Sequence, residues 1–259
     1  SLRENLVYTA MFNTDYVGEV APGNAVKIPS IGSVTVADYT TYTDMSDEQV
    51  ADTSQTLNVD QQKYFSIIID DVDAAMSRPD IMAAYGREAS HQLQATIDQY
   101  LASILKAGTV TGDLGNDTTP LEIDSTNIGE TLRVMARKLD DALVPRAGRV
   151  VVLPPWAVED LVSADITDNT NNSDALTNAM VGRYAGFDIA MSHQVPNTSG
   201  SKYKIIGGSS ISATYALAIN KTEMLRHPDQ FADKMRGLSV YGAKLTRPAT
   251  VAVATCNEA

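Results

Sequence analysis

The stretch 79–106, PDIMAAYGREASHQLQATIDQYLASILK, constrains this chain more than any other. Its 28 residues form the longest helical pattern in the sequence. At ~1.5 Å per residue they span ~42 Å, more than a small domain is wide. Pro79 suits a first-turn position, Asp80 complements the helix dipole, and Lys106 followed by Gly108 marks a stop. Apolar or small residues recur every four positions, at Ile81, Tyr85, Ala89, Leu93, Ile97, Leu101 and Leu105. A helix turns ~100° per residue, so a four-residue repeat drifts ~40° at each step. The stripe winds around the helix, and its two ends are expected to pack against different things. The helix reads as a strut.

The segments around it fall into an order. Residues 1–20 show no sustained period and read as an extended arm. Strand pieces follow at 24–31, 34–39, 56–60 and 63–69, interrupted by the acidic stretch 44–52, DMSDEQVAD. The simplest account is a long hairpin with a solvated acidic middle. It has too few large apolar side chains to make its own core, so it is expected to lie on something else, such as a neighbouring molecule. Beyond the strut, 126–143 is an amphipathic helix with Ile128, Leu132, Met135, Leu139 and Leu143 on one side. Strand 149–153 precedes Pro154-Pro155, which opens a short helix through Leu161. After the polar loop 165–174 come a brief helix at 175–184 and strands at 187–192, 203–206 and 213–219. Together these make one mixed α/β unit. Strand pieces at 238–246 and 249–255, split by Arg247-Pro248, close the chain. The fold class is α+β.

The net charge of -12 is unevenly placed. Residues 1–60 carry nine acids and two bases, while 221–259 carry four acids and six bases. Such a chain is a poor general nucleic-acid binder, because phosphate contacts need clustered Lys and Arg. The acidic front (Asp44, Asp47, Glu48, Asp52) and the basic tail (Arg226, Lys234, Arg236) are complementary, within a chain or between chains. On the strut, Arg87, Gln94 and Asp98 fall at positions expected to be exposed. The single cysteine, Cys256, excludes an intrachain disulfide, and no apolar run approaches a membrane span. The chain starts at Ser1 without a basic, apolar signal pattern, which leads to the expectation of a cytosolic product whose initiator was removed or whose N-terminus was matured by proteolysis.

Catalytic signatures are missing: no Walker loop, GxGxxG, GxSxG or HExxH occurs. His91, His193 and His227 are far apart in sequence. Asp70, Asp71 and Asp73 suit a helix entry better than a metal. Asp165, Asp168, Asn169, Asn171 and Asp174 lack the glycine of a calcium loop. The expectation is no enzyme, no cofactor and no metal. An α/β enzyme built on 120–220 would need a site that the sequence does not offer.

Several stretches taken together resemble the major capsid proteins of tailed bacteriophages with the Hong Kong 97-type fold. They are VVVLPPWAVEDL at 150–161, GRYAGFDIAMSHQVP at 182–196, FADKMRGLSVYGAKLTRP at 231–248, the early GNAVKIPSIG, and IIIDDVD before the long helix. The resemblance implies an N-terminal arm (1–20), an E-loop hairpin with its flanking strands (21–69), and a P-domain (70–119, completed by 221–259) with spine helix 79–106. It also implies an A-domain at 120–220. It implies a coat protein of the virion capsid, assembled in the host bacterial cytoplasm as hexamers and pentamers of itself. Scaffold and portal proteins would take part, and the packaged DNA would be held without sequence-specific binding and without a membrane. The alternative is an encapsulin-type compartment shell enclosing cargo enzymes. The strand-like residues 1–30 argue against it, because those shells start with a helix.

Overall fold

The computed structural model describes residues 7–15, 25–30, 36, 38, 41–42, 53–71, 81–164 and 180–258. The run ValValValLeu becomes β6 (Arg149–Leu153), buried along its whole length. It lies inside a seven-stranded sheet ordered β5 (Leu121–Ile123), β13 (Ala252–Glu258), β10 (Lys202–Ser209), β6, β8 (Phe187–Met191), β7 (Met180–Tyr184). The short β9 (Asn197–Thr198) pairs along β10. A strand with apolar residues on both faces needs cover on both. Val151 and Leu153 join Phe187, Ile189, Ile205, Ala252 and Ala254 in the core under α2 (Ile128–Asp141) and α3 (Pro155–Ser163). Val150 and Val152 face the other way, with Ala190, Ile206 and Val253, towards the end of α1 (Ile81–Leu105) and a 3₁₀ turn at Tyr8–Met11.

The strut helix forms as α1, and its ends do pack differently. Leu101, Ala102 and Leu105 are fully buried against the seven-stranded sheet, whereas Tyr85 is 51% exposed. Its earlier turns run along a four-stranded sheet ordered β1 (Phe12–Asn13), β11 (Ala213–Arg226), β12 (Ala232–Leu245), β4 (Gln61–Asp70). The antiparallel hairpin of β2 (Ala25–Ser30) and β3 (Thr53–Asn58) leads into β4. Its base does not lack a core within the chain. Leu57 and Val59 are buried against Ala216 and Val240, with Ile28 packed alongside. Lys244 Nζ donates to the Thr56 carbonyl at 2.7 Å, and Gln55 Nε2 donates to the Thr246 carbonyl at 3.1 Å.

Three sequence readings are corrected. The helix expected at 175–184 is, over its described part, strand β7 antiparallel to β8. Ala185 and Gly186 both have positive φ, of 50° and 83°, so Tyr184-Ala185-Gly186-Phe187 is a tight hairpin turn. The strand at 213–219 leaves the mixed unit for the four-stranded sheet, and the last strand enters the seven-stranded one, between β5 and β10. Sheet membership therefore cuts across a boundary at 220. The expected arm contains, in its described part, the 3₁₀ turn with Tyr8 and Met11 fully buried.

Leu143 was placed on the apolar stripe of α2, yet it is 90% exposed. Leu143 N–H donates to the Asp140 carbonyl and Val144 N–H donates to the Leu139 carbonyl, so the helix ends in a Schellman turn. Leu143 occupies the left-handed position of that turn, with φ 56°, and Val144 supplies the buried contact instead. A Cβ is disfavoured there. Leu143→Gly is expected to stabilise the fold by about 1 kcal/mol, read as a higher midpoint in urea. A lower midpoint would show that the side chain is held by the subunit.

Candidate assembly surfaces

Asp98, expected on the exposed side of the strut, is 2% exposed. Its carboxylate accepts Tyr8 N–H at 3.0 Å and Val7 N–H at 3.4 Å, so it fastens the chain's N-terminal region onto α1. That use takes it away from neighbours and corrects the sequence reading. Arg87 and Gln94 are exposed as expected. Burial, and secondarily the Asp98 charge, raise the Tyr8 phenol well above its ordinary range.

The four-stranded sheet turns one face to α1, and among the described residues the other is left open. On the open face the register sets three cross-strand rows: Tyr64–Leu238–Lys221, Ser66–Arg236–Glu223 and Ile68–Lys234–Leu225. Tyr64 is 79% exposed, and Ile68, Leu225 and Leu238 are also exposed. The middle row is an ion pair, with Arg236 Nη2 donating to Glu223 Oε2 at 2.7 Å. A shallow depression of ≈ 430 Å³ runs between Tyr64, Leu238, Lys221 and Lys234.

At the far end of the same sheet Met224 on β11 and Phe231 in the turn to β12 are both largely exposed. Arg226 sits beside them but is not free for a neighbour's acid. Its Nη1 donates to Asp71 Oδ1 at 2.8 Å and to Asp233 Oδ1 at 3.1 Å, and its Nη2 also contacts Asp71. Two of the three basic residues picked from sequence, Arg226 and Arg236, are thus engaged within their own sheet. Lys234 is half-buried. The acidic residues Asp44, Asp47, Glu48 and Asp52 lie outside the described residues, as does the 165–174 loop.

No protein-family model matches the chain, and no curated protein matches it by sequence. Solved structures do match, from end to end. A structure from Mycobacterium phage Che8 is 26% identical with a TM-score of 0.79, covering 98% of this chain and 92% of that one. The capsid of cyanophage P-SCSP1u matches at 17% identity and a TM-score of 0.80, covering 100% and 90%. The asymmetric unit of the mature capsid of bacteriophage PhiM1 matches at 17% identity and a TM-score of 0.72, covering 99% and 88%. The chain has the fold of a phage capsid subunit.

No group of three or more His, Cys, Asp or Glu side chains among the described residues is placed to hold a metal ion. Cys256 is fully buried, and that burial pushes its thiol up to about 12, which suits packing and not nucleophilic chemistry. The sequence reading missed a structural network at the end of α2. The Arg149 side chain is 1% exposed and donates to the carbonyls of Pro145 (3.0 Å), Ala136 (3.3 Å) and Val144, and to Asp140 Oδ1 at 2.8 Å. An arginine opening an otherwise apolar strand was the available signal.

Among the described residues four carboxyls lie below their ordinary range because partners hold the charged form. Arg226 does this for Asp71, Lys204 for Asp117, the Thr126 hydroxyl for Asp124, and Arg146 then Arg149 for Asp140. Their folded values lie below the unfolded ones, so their contribution is present above about pH 4 and is lost as pH falls through the folded values. Asp160 is shifted the opposite way, by burial and then by Glu159, Asp124 and Glu258, so acid relieves a cost there. Four against one among the described residues, the melting midpoint of the subunit is expected to fall below about pH 4. A level midpoint between pH 5 and pH 3 would remove these pairs from the account.

Proposed function

We propose that this chain is the major capsid protein of a tailed phage, many copies of which close into an icosahedral shell around double-stranded DNA. The observation that carries the reading is the match to phage structures over nearly the whole length of both partners. In this reading β2–β3 is the base of the E-loop and α1 is the spine helix. The four-stranded sheet is the body of the P-domain, and the seven-stranded sheet with α2 and α3 is the A-domain. Hexamers and pentamers of the chain would tile the shell in the host bacterial cytoplasm, with scaffold and portal proteins taking part.

Physical features of the subunit support the reading. The open sheet face alternates apolar and basic side chains, Tyr64, Leu238 and Ile68 with Lys221 and Lys234, as suits a segment of opposite charge. The stretch 44–52 of an adjoining copy supplies Asp44, Asp47, Glu48 and Asp52. Arg87 on α1 and the Phe231 turn are further points of contact between copies. A net charge of -12 keeps interior walls from gripping DNA, so the genome slides during packaging. No helix among the described residues is long and apolar enough to cross a membrane. An encapsulin-type shell would share the architecture, but the solved structures named above all come from phages.

The test is a deletion. Removing residues 44–52 is expected to leave a folded, soluble subunit with an unchanged melting midpoint and to reduce assembly at least tenfold, read by sedimentation. Loss of soluble subunit would place the stretch in the subunit's own core. Undiminished assembly would remove it from the interface.

A further inference from the structure

The four-stranded sheet ends on one side in β4, which pairs along its whole length with β12, from Gln61 to Asp70. Among the described residues no strand lies along its other edge. Such an edge offers a row of backbone donors and acceptors to another chain, and edge strands are ordinarily blunted by charge, Pro or bulges. On the opposite side of the sheet β11 is blunted in this way: where it runs on past β1 it carries Lys221, Glu223 and Arg226. The β4 edge is not. Between Lys63 and Asp70 it reads TyrPheSerIleIleIle, rich in strand formers and without charge, Pro or Gly. Tyr64 and Ile68, both on the open face, are exposed there.

We propose that β4 pairs antiparallel with β4 of a second copy about a two-fold axis at Ser66, joining the two four-stranded sheets into one. An axis perpendicular to the sheet keeps the same face up in both copies, and side chains directly opposite each other share a face. With Ser66 opposite Ser66, Tyr64 falls opposite Ile68, and Ile68 opposite Tyr64, on the open face. Phe65 falls opposite Ile67 on the α1 face. The strand is thus its own complement in aromatic and β-branched pairs, which are favourable cross-strand neighbours. Like charges do not meet, because Lys63 falls opposite Ile69. The contact is isologous, so it uses up the edge in both copies and closes after two. It needs only two copies, whether or not they go on to a shell, and so goes beyond the proposed function. Shells that form without it would overturn the pairing and leave that function standing.

Single cysteines test it in the purified full-length chain, because the native Cys256 is fully buried and does not compete. Ser66 and Glu223 lie in one row of the open face, on β4 and on β11. Opposed side chains across an antiparallel pair stand within disulfide reach. Under mild oxidation the Ser66→Cys variant is expected to link in pairs in most molecules, and the Glu223→Cys variant less than about a tenth as much. Equal linking of the two, or stronger linking between the two variants when mixed, overturns the proposal. A second readout uses Ser66→Glu. Within the subunit Arg236 is the cross-strand neighbour of this position, so the carboxylate has a partner and the melting midpoint is expected to stay unchanged. Across the axis two carboxylates face each other, and the dimer dissociation constant measured by sedimentation is expected to rise at least about tenfold. An unchanged constant, or a parent chain that forms no dimer, overturns the proposal.

Discussion

Arg149→Ala is expected to lower the stability of the subunit by about 3 kcal/mol. The guanidinium is almost wholly buried and joins the end of α2 to the start of β6 through three carbonyls and Asp140. Removing it strands carbonyls that water does not reach easily, while Asp140, less buried, keeps Arg146 as a partner. The loss therefore falls mainly on the buried acceptors and much less on the surface ion pair. Urea unfolding measures it directly. Arg149→Lys is expected to recover less than half of the loss, because an ammonium cannot fan out to the same set of acceptors. A change below 0.5 kcal/mol (on the order of a surface substitution) would show that the network is incidental.

The second large effect is predicted at Gly242. A Cβ there would overlap the carbonyl oxygen of Asn58 and stand 2.9 Å from Val59 Cα, both of them backbone. No side chain can swing away to make room, so the link between β3 and β4 must move off the sheet. Gly242→Ala is expected to cost about 2–3 kcal/mol and to expose Leu57 and Val59, now buried beside it. The sheet carrying α2 and α3 lies elsewhere and should keep its core. Hydrogen exchange is expected to speed up across 53–60 and 238–245 while β6 and β10 stay protected. Uniform loss of protection would mean that the hairpin base and the rest of the subunit unfold as one unit.

How much of this was legible depends on the range of the interaction. The strut helix was legible because its pattern is long, and the drift of its apolar stripe correctly implied different surroundings at its two ends. The stripe of α2 was legible through Leu139 and failed one turn later. At Leu143 the backbone turns left-handed, a choice that helical periodicity cannot register. The 180–184 strand was misread because the turn at Ala185-Gly186 is a two-residue signal inside an ambiguous run. Asp98 looked like a surface position on its helix, and only a contact across 90 residues of sequence shows its use. Sheet membership of β11 and β13 is likewise long-range: β11 leaves the sheet of its predecessor β10, and β13 leaves that of its predecessor β12. The basic tail was found as a cluster, but the local pairing of Arg226 and Arg236 follows from β-sheet register, which composition does not carry.

The central claim is that the chain is a tile, and electron microscopy tests it most directly. Purified protein, alone or coexpressed with a scaffold, is expected to yield closed icosahedral shells tens of nanometres wide. In a reconstruction, the segment between β2 and β3 of each copy should lie across the open sheet face of the next, near Tyr64, Lys234 and Leu238. A strictly monomeric protein under every condition of salt, concentration and scaffold would contradict the account.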